Sequence, residues 1–199
     1  MKKVFFFLFF FISTISFAED IKKVVLLAKV NNIGISNFDV VEEIEIIKIL
    51  SNNFTQIDQN ISKIAMQNLI EDALKKQEIE ESNIAIESSD YTKNFETLIL
   101  NIQKANILIT DNLKNKIFKK IKLNSEWNQL INQKYRWNVN VNINEIEDRL
   151  KDTKNIPTDG KELQELKNKL INIEKNKKLE VFSKIHLSKI KKQSLIKFF

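Results

Sequence analysis

Three features of the chain predict a mainly α fold with a small strand component. Glycine and proline number only two and one in 199 residues, which disfavours turn-dense sandwiches and barrels. Apolar residues recur at helical spacing through most of the chain. The stretch from Lys161 to about Lys192 reads as one long helix. It carries Leu163, Leu166, Leu170 and Ile173 on a stripe, and Phe182, Ile185 and Ile190 extend the apolar face among lysines. Packing rather than propensity stabilises most protein helices, so this segment is expected to return to the body of the chain. The closing residues, Gln193 to Phe199, change character and read as a short strand.

The N-terminus opens with Lys2 and Lys3, an apolar run from Val4 to Ile12, and small residues at Ser16 and Ala18. That is the pattern of a cleavable export signal over residues 1–18. The apolar run is short against the roughly 20 residues of a membrane span, and an uncleaved anchor is the alternative. Absence of Cys removes the lipoprotein route. Val24 to Val30 is a β-branched run followed by Asn31-Asn-Ile-Gly34, predicting strand then turn with Gly34 at a positive φ. Ile35 then begins a short return strand. Ser36 with Asp39 suits a helix N-cap, and Val40, Ile44 and Ile47 mark the helix, which runs to about Leu50.

After a polar connection, a second helix is expected over about Ile61 to Glu80, with Met66, Leu69, Ile70, Ala73 and Leu74 inward. Ser89 caps a third, striped by Tyr91, Phe95, Leu98, Ile102 and Ala105. Thr110 starts a fourth with Leu113, Ile117 and Ile121, and Ser125 caps a fifth bearing Trp127, Leu130, Ile131 and Tyr135. Val139, Val141 and Ile143 alternate with asparagines, a period-two pattern of extended chain. Asn144 with Glu147 opens a short helix through Leu150, and Asn155 to Gly160 is the joint before the C-terminal helix.

Composition narrows the function classes. Apolar residues at 43% and charged residues at 29% describe a globular chain. Net charge is +6, or +4 without Lys2 and Lys3. Acidic and basic residues alternate along the helices with no basic block interleaved with aromatics, so nucleic acid is not an expected partner. Without Cys there is no disulfide, CxxC motif or Cys-ligated zinc, and one His, His186, forbids HExxH and multi-histidine metal sites. Two glycines exclude GxGxxG and the P-loop. No catalytic or metal-binding constellation emerges, and no cofactor is expected. His186 reads as a helix-surface or boundary residue. Glu42-Glu43-Glu45 and Glu78-Glu80-Glu81 read as exposed faces, although the many carboxylates leave a two-carboxylate hydrolase as a third reading. The aromatic-rich set Phe95, Leu98, Phe118, Trp127, Tyr135 and Trp137 has two readings: core packing, or a groove that accepts extended polypeptide.

The order of these pieces resembles a known family. Ala28-Lys-Val-Asn-Asn-Ile-Gly-Ile-Ser-Asn-Phe-Asp-Val40 resembles the strand–turn–helix opening of the SurA family of periplasmic chaperones. Leu69 to Gln77 resembles its second-helix run, and Ile84 to Asp90 its entry to the third helix. Trp127 to Arg136 with Val139 to Glu145 resembles its fifth helix and exit, and Phe182 to Phe198 its closing helix and strand. The resemblance implies a helical chaperone core, similar to the peptide-binding domain of trigger factor, in which the final strand pairs with the first.

The chain departs from that family in one respect. Members carry parvulin prolyl isomerase domains before the last helix, each on the order of a hundred residues, and here only residues 156–160 stand in that place. Isomerase activity is therefore not expected. The implied organisation is a signal peptide over 1–18, a helical domain over 19–155, a linker over 156–160, and a C-terminal helix and strand over 161–199 that complete the same core. The implied function is ATP-independent holding, in the periplasm, of unfolded outer-membrane polypeptides, with the outer-membrane assembly machinery as a further partner. Phe95, Leu98, Phe118, Trp127, Tyr135 and Trp137 are the expected binding residues. An envelope adaptor that binds one folded partner is the alternative.

Overall fold

A computed structural model describes residues 23–51, 60–82, 91–151 and 160–199. The signal segment, the Ser89 cap, the Ile84 to Asp90 run and most of the 156–160 joint lie outside these residues. Strands β1 (Leu26–Val30) and β2 (Ile33–Ser36) form an antiparallel hairpin in which Val30 pairs with Ile33. The left-handed residue of its turn is Asn31, at φ 51°, a conformation Asn tolerates better than other side chains. This corrects the expectation for Gly34, which lies within β2 opposite Lys29 and has no positive φ.

The C-terminal strand β3 (Ile196–Phe198) pairs antiparallel with β1, giving the sheet order β2-β1-β3. Asn31 ties this junction together. Its backbone N–H donates to the Leu195 carbonyl at 2.8 Å, and its side-chain oxygen accepts from the Leu195 N–H at 2.8 Å. Its amide nitrogen donates to Gln77 Oε1 at 2.8 Å. One turn residue thus joins the first hairpin, the second helix and the last strand.

Helix α1 (Asn37–Ser51) starts on a reciprocal cap, in which Ser36 N–H donates to Asp39 Oδ2 at 2.7 Å and Asp39 N–H donates to Ser36 Oγ at 3.3 Å. It buries two faces rather than one. Val40, Ile44 and Ile47 pack with β1, β2 and helix α2 (Ile61–Glu81), while Ile46 and Ile49 pack with Ile102, Leu113 and Ile117. Glu43 lies between those faces, 3% exposed, which corrects its reading as a surface carboxylate. Glu80 and Glu81 are exposed, but Glu78 is half-buried.

Helix α3 (Tyr91–Lys104) packs against α4 (Asp111–Tyr135). Thr110 Oγ1 caps α4 by accepting from Leu113 N–H at 3.3 Å. The expected fourth and fifth helices are this one helix, and Ser125 is interior to it. The cause is a stripe at alternating spacings of four and three, Leu113, Ile117, Lys120, Asn124, Trp127 and Ile131, which keeps one seam facing its neighbours. Its two polar members have partners on α1 and α2. Lys120 meets Glu43 and Asp72, and Asn124 Oδ1 accepts from Lys75 Nζ at 3.0 Å.

A single 3₁₀ turn, Arg136–Asn138, ends α4, and the chain reaches α5 (Ile143–Lys151) without joining a sheet. The extended conformation expected here is present at Val139 (φ −90°, ψ 94°) but forms no strand, and Ile143 already belongs to α5. Helix α6 (Gly160–Gln193), 34 residues and about 50 Å long, lies against α2, α4 and α5. Its inward stripe in the C-terminal half sets buried His186 among the half-buried Phe182, Leu187 and Ile190, whereas Ile185 faces solvent. The fold is mainly α with a small three-stranded antiparallel sheet built from both ends of the chain.

Candidate polypeptide-binding surface

The fold sorts the six expected binding residues into three places. Phe95 and Leu98 on α3 and Phe118 on α4 form one half-buried cluster, in which the Phe118 ring meets Phe95 at 5.1 Å and Tyr91 at 5.6 Å, both edge-on. Edge-to-face pairs of this kind fix ring orientation. Trp127 and Tyr135 lie between α4 and α6, apart from that cluster. Trp127 is 2% exposed and its indole N–H donates to Ser183 Oγ at 2.7 Å, so it is core in this structure. Tyr135 stacks on Phe182 with ring centroids 5.0 Å apart. Trp137, in the 3₁₀ turn, is 79% exposed with the Arg136 guanidinium 4.7 Å from its ring.

His186 is 6% exposed and is the centre of a polar knot, which corrects its surface assignment. Its Nδ1 lies 2.8 Å from the Tyr135 hydroxyl and its Nε2 lies 2.9 Å from Glu78 Oε1. Lys134 also donates to Glu78. Burial works to raise the Glu78 pKa, but the hydrogen bonds and charges of Lys134 and His186 outweigh it and hold the carboxyl below the usual glutamate value. Both imidazole nitrogens are engaged by protein groups, so in this arrangement neither is open to a substrate or a metal. The sequence signal was available: His186 follows Phe182 by four and precedes Ile190 by four, on one stripe.

Among the open concavities formed by the described residues, two bear on polypeptide binding. One, of about 960 Å³, runs between α3, α4 and α6 and is walled largely by amide side chains, among them Asn94, Asn124, Asn128, Asn132 and Asn176. The other, of about 540 Å³, lies beside β3 and is mainly apolar. Helix α2 contributes Ser62, Met66 and Ile70 to it, and β3 contributes Ile196 and Phe198. Lys63, Gln67 and Lys191 are its polar and charged members. Phe198 remains 62% exposed beside it, and Phe199 is similarly open. Composition alone hid this groove, because its walls come from residues more than a hundred positions apart in sequence.

Among the described residues no group of His, Cys, Asp or Glu side chains is arranged to hold a metal ion. Among the same residues no helix is long and apolar enough to cross a membrane. Neither a protein-family model nor a curated protein matches the chain.

Proposed function

We propose that this chain is an ATP-independent holding chaperone of the periplasm, a SurA-like core without isomerase domains, that binds unfolded outer-membrane protein segments. The groove between α2 and β3 carries this reading. It is apolar, open, and rimmed by polar groups, which is the surface an extended apolar polypeptide needs. Modest affinity for short apolar stretches lets clients leave without an energy source. The half-buried cluster of Phe95, Leu98 and Phe118 and the exposed Trp137 offer further apolar contacts. Tyr135 and Trp127 support α6 from beneath. The periplasmic location rests on the export-signal pattern of residues 1–18.

The test is light scattering of a urea-denatured outer-membrane β-barrel protein diluted with the chain from Glu19 onward. Suppressed aggregation at near-stoichiometric ratio, without nucleotide, is expected. Replacing Met66, Ile196 and Phe198 with Ser is expected to weaken suppression while circular dichroism retains the helical signal. Unchanged aggregation at several-fold excess of the unsubstituted chain rules the reading out.

A further inference from the structure

The sheet ends on β3, and its pairing with β1 determines which backbone groups remain outward. Leu195 C=O accepts from Asn31 N–H at 2.8 Å and Phe199 N–H donates to Leu27 C=O at 3.1 Å, with Lys197 opposite Lys29 between them. In an antiparallel ladder the residues so paired direct their N–H and C=O groups at the partner strand, and the alternate residues direct theirs the other way. Ile196 and Phe198 therefore offer an unpaired set of backbone donors and acceptors along the free edge. Their side chains enter the apolar groove against Met66 and Ile70, while Lys197 turns to the opposite face, where its Nζ lies 4.9 Å from the Phe199 ring.

Native edges are commonly blunted by charges, proline, bulges or a covering segment. Among the described residues this edge has only Lys197 in that role, and a large aromatic side chain stands open beside it. The charges around the groove choose the occupant. Lys63 and Lys191 line it, neither has a carboxylate partner among the described residues, and no acidic side chain lines it. A second copy docked edge to edge about a two-fold axis would bring this cationic rim against itself, which like-charge repulsion opposes.

We propose that β3 accepts a fourth strand, supplied by an extended partner polypeptide with apolar side chains at alternate positions and carboxylates flanking them on that same face of the strand. The main chain of that segment pairs with Ile196 and Phe198, its apolar side chains fill the groove between α2 and β3, and the carboxylates that flank them on the same face of the strand meet Lys63 and Lys191. This is strand addition, in which backbone bonds supply affinity and alternate pockets supply preference. The proposal rests on the client-binding reading above and specifies where and how a client segment is held.

Fluorescence anisotropy tests it with a short labelled peptide that carries Phe at two alternate positions, Glu at the same-face positions flanking them and Ser between, alongside a matched peptide with Lys in place of Glu. The acidic peptide is expected to bind more tightly, and the double variant Lys63→Glu/Lys191→Glu to bind it about tenfold more weakly with the preference reversed. Hydrogen exchange gives the second readout: the Ile196 and Phe198 amides are expected to slow on peptide addition. An acidic peptide N-methylated on the amides that would face β3 is expected to lose binding. Peptide binding that leaves those two amides unprotected overturns strand addition, as does failure of the peptide to bind. Protection that appears without peptide and grows with protein concentration, together with dimers in sedimentation, assigns the edge to a second copy and overturns it too. Aggregation assays on the unsubstituted chain separate the two levels. Suppression that persists while peptide protection fails sinks only the strand-addition proposal, whereas absent suppression sinks the chaperone reading beneath it.

Discussion

Lys120 lies where α1, α2 and α4 converge, and its ammonium donates to Glu43 at 2.8 and 2.9 Å and to Asp72 at 2.7 Å. Glu43 also accepts from Asn68 at 2.8 Å. Burial disfavours the charged lysine, but the charge and hydrogen bond of Asp72, joined by those of Glu43, outweigh it and hold its pKa above the usual lysine value. Removing one partner of such a group strands the other, so Lys120→Met is expected to cost about 3 kcal/mol in urea unfolding. The double variant Lys120→Met/Glu43→Leu is expected to recover most of that loss, because the fully buried Glu43 charge is gone and Asp72, partly exposed, keeps Lys75 at 3.8 Å. The pH sign follows from the raised pKa. The stabilisation is intact below the unfolded lysine value of about 10.4 and is lost as pH rises through the higher folded value. Above about pH 10.5 the unsubstituted chain should therefore lose stability faster than the double variant. Asn31 gives a second residue-scale test. Asn31→Gly keeps the backbone shape but loses the side-chain bonds to Gln77 and Leu195, for about 1–2 kcal/mol. Asn31→Ala adds left-handed strain of about 1 kcal/mol, so alanine should be the more damaging change, and equal thermal midpoints would refute this account of the turn.

At the scale of elements, α4 is the instructive case. Helical periodicity located its two halves correctly, yet Ser125 looked like the cap of a new helix because serine favours caps and turns in isolation. What overrode that preference was tertiary: Lys75 from α2 satisfies Asn124, and the stripe from Leu113 to Ile131 stays on one seam. The same limit explains Glu43 and His186. A polar residue on an apolar stripe reads as a surface residue until its partner, 77 positions away for Lys120 or 108 for Glu78, is known. Local signals with local causes were legible, such as the Ser36–Asp39 cap, the Thr110 cap and the strand character of the tail. Of the six candidate binding residues, sequence conveyed that they are aromatic or apolar at helical spacing, but not which of them share a surface. Glu126→Pro tests the continuity of α4. Proline is tolerated at the first position of a helix capped by Ser125, but inside a continuous helix it costs about 3 kcal/mol or more. Glu126→Ala, which removes the partly exposed 3.7 Å contact with Lys122, should change stability by about a few tenths of a kcal/mol. A proline variant as stable as the alanine variant would mean two helices.

The whole molecule is organised by a closure between its ends. The Asn31–Leu195 junction that seats β3 on β1 spans 164 positions of sequence, and α6 carries the chain back past α2, α4 and α5 to reach it. The C-terminal half of α6 packs into two of the three apolar clusters, through Leu179, Leu187 and Ile190, while its N-terminal half meets α5 through the Arg149–Glu174 and Lys167–Glu147 pairs. The sequence showed that the long helix needed a body to pack on, and the family resemblance implied the strand pairing. Neither showed that Asn31 would be the junction, since its partners are fixed only when both ends meet. Truncation after Gln193 probes this closure directly. It removes the half-buried Ile196 side chain, the Asn31–Leu195 bonds and the pairing that covers the outer edge of β1, for about 3 kcal/mol in all. Because Ala28 and Val30 are fully buried within the sheet cluster, the loss should be felt by the entire domain. Circular dichroism at 222 nm should then show a single transition at a lower midpoint, not a new early phase. Hydrogen exchange should quicken throughout β1 and the C-terminal half of α6. A truncated chain that melts at the original midpoint would show that β3 is a peripheral attachment, and the sheet would then be held by the hairpin and α1 alone.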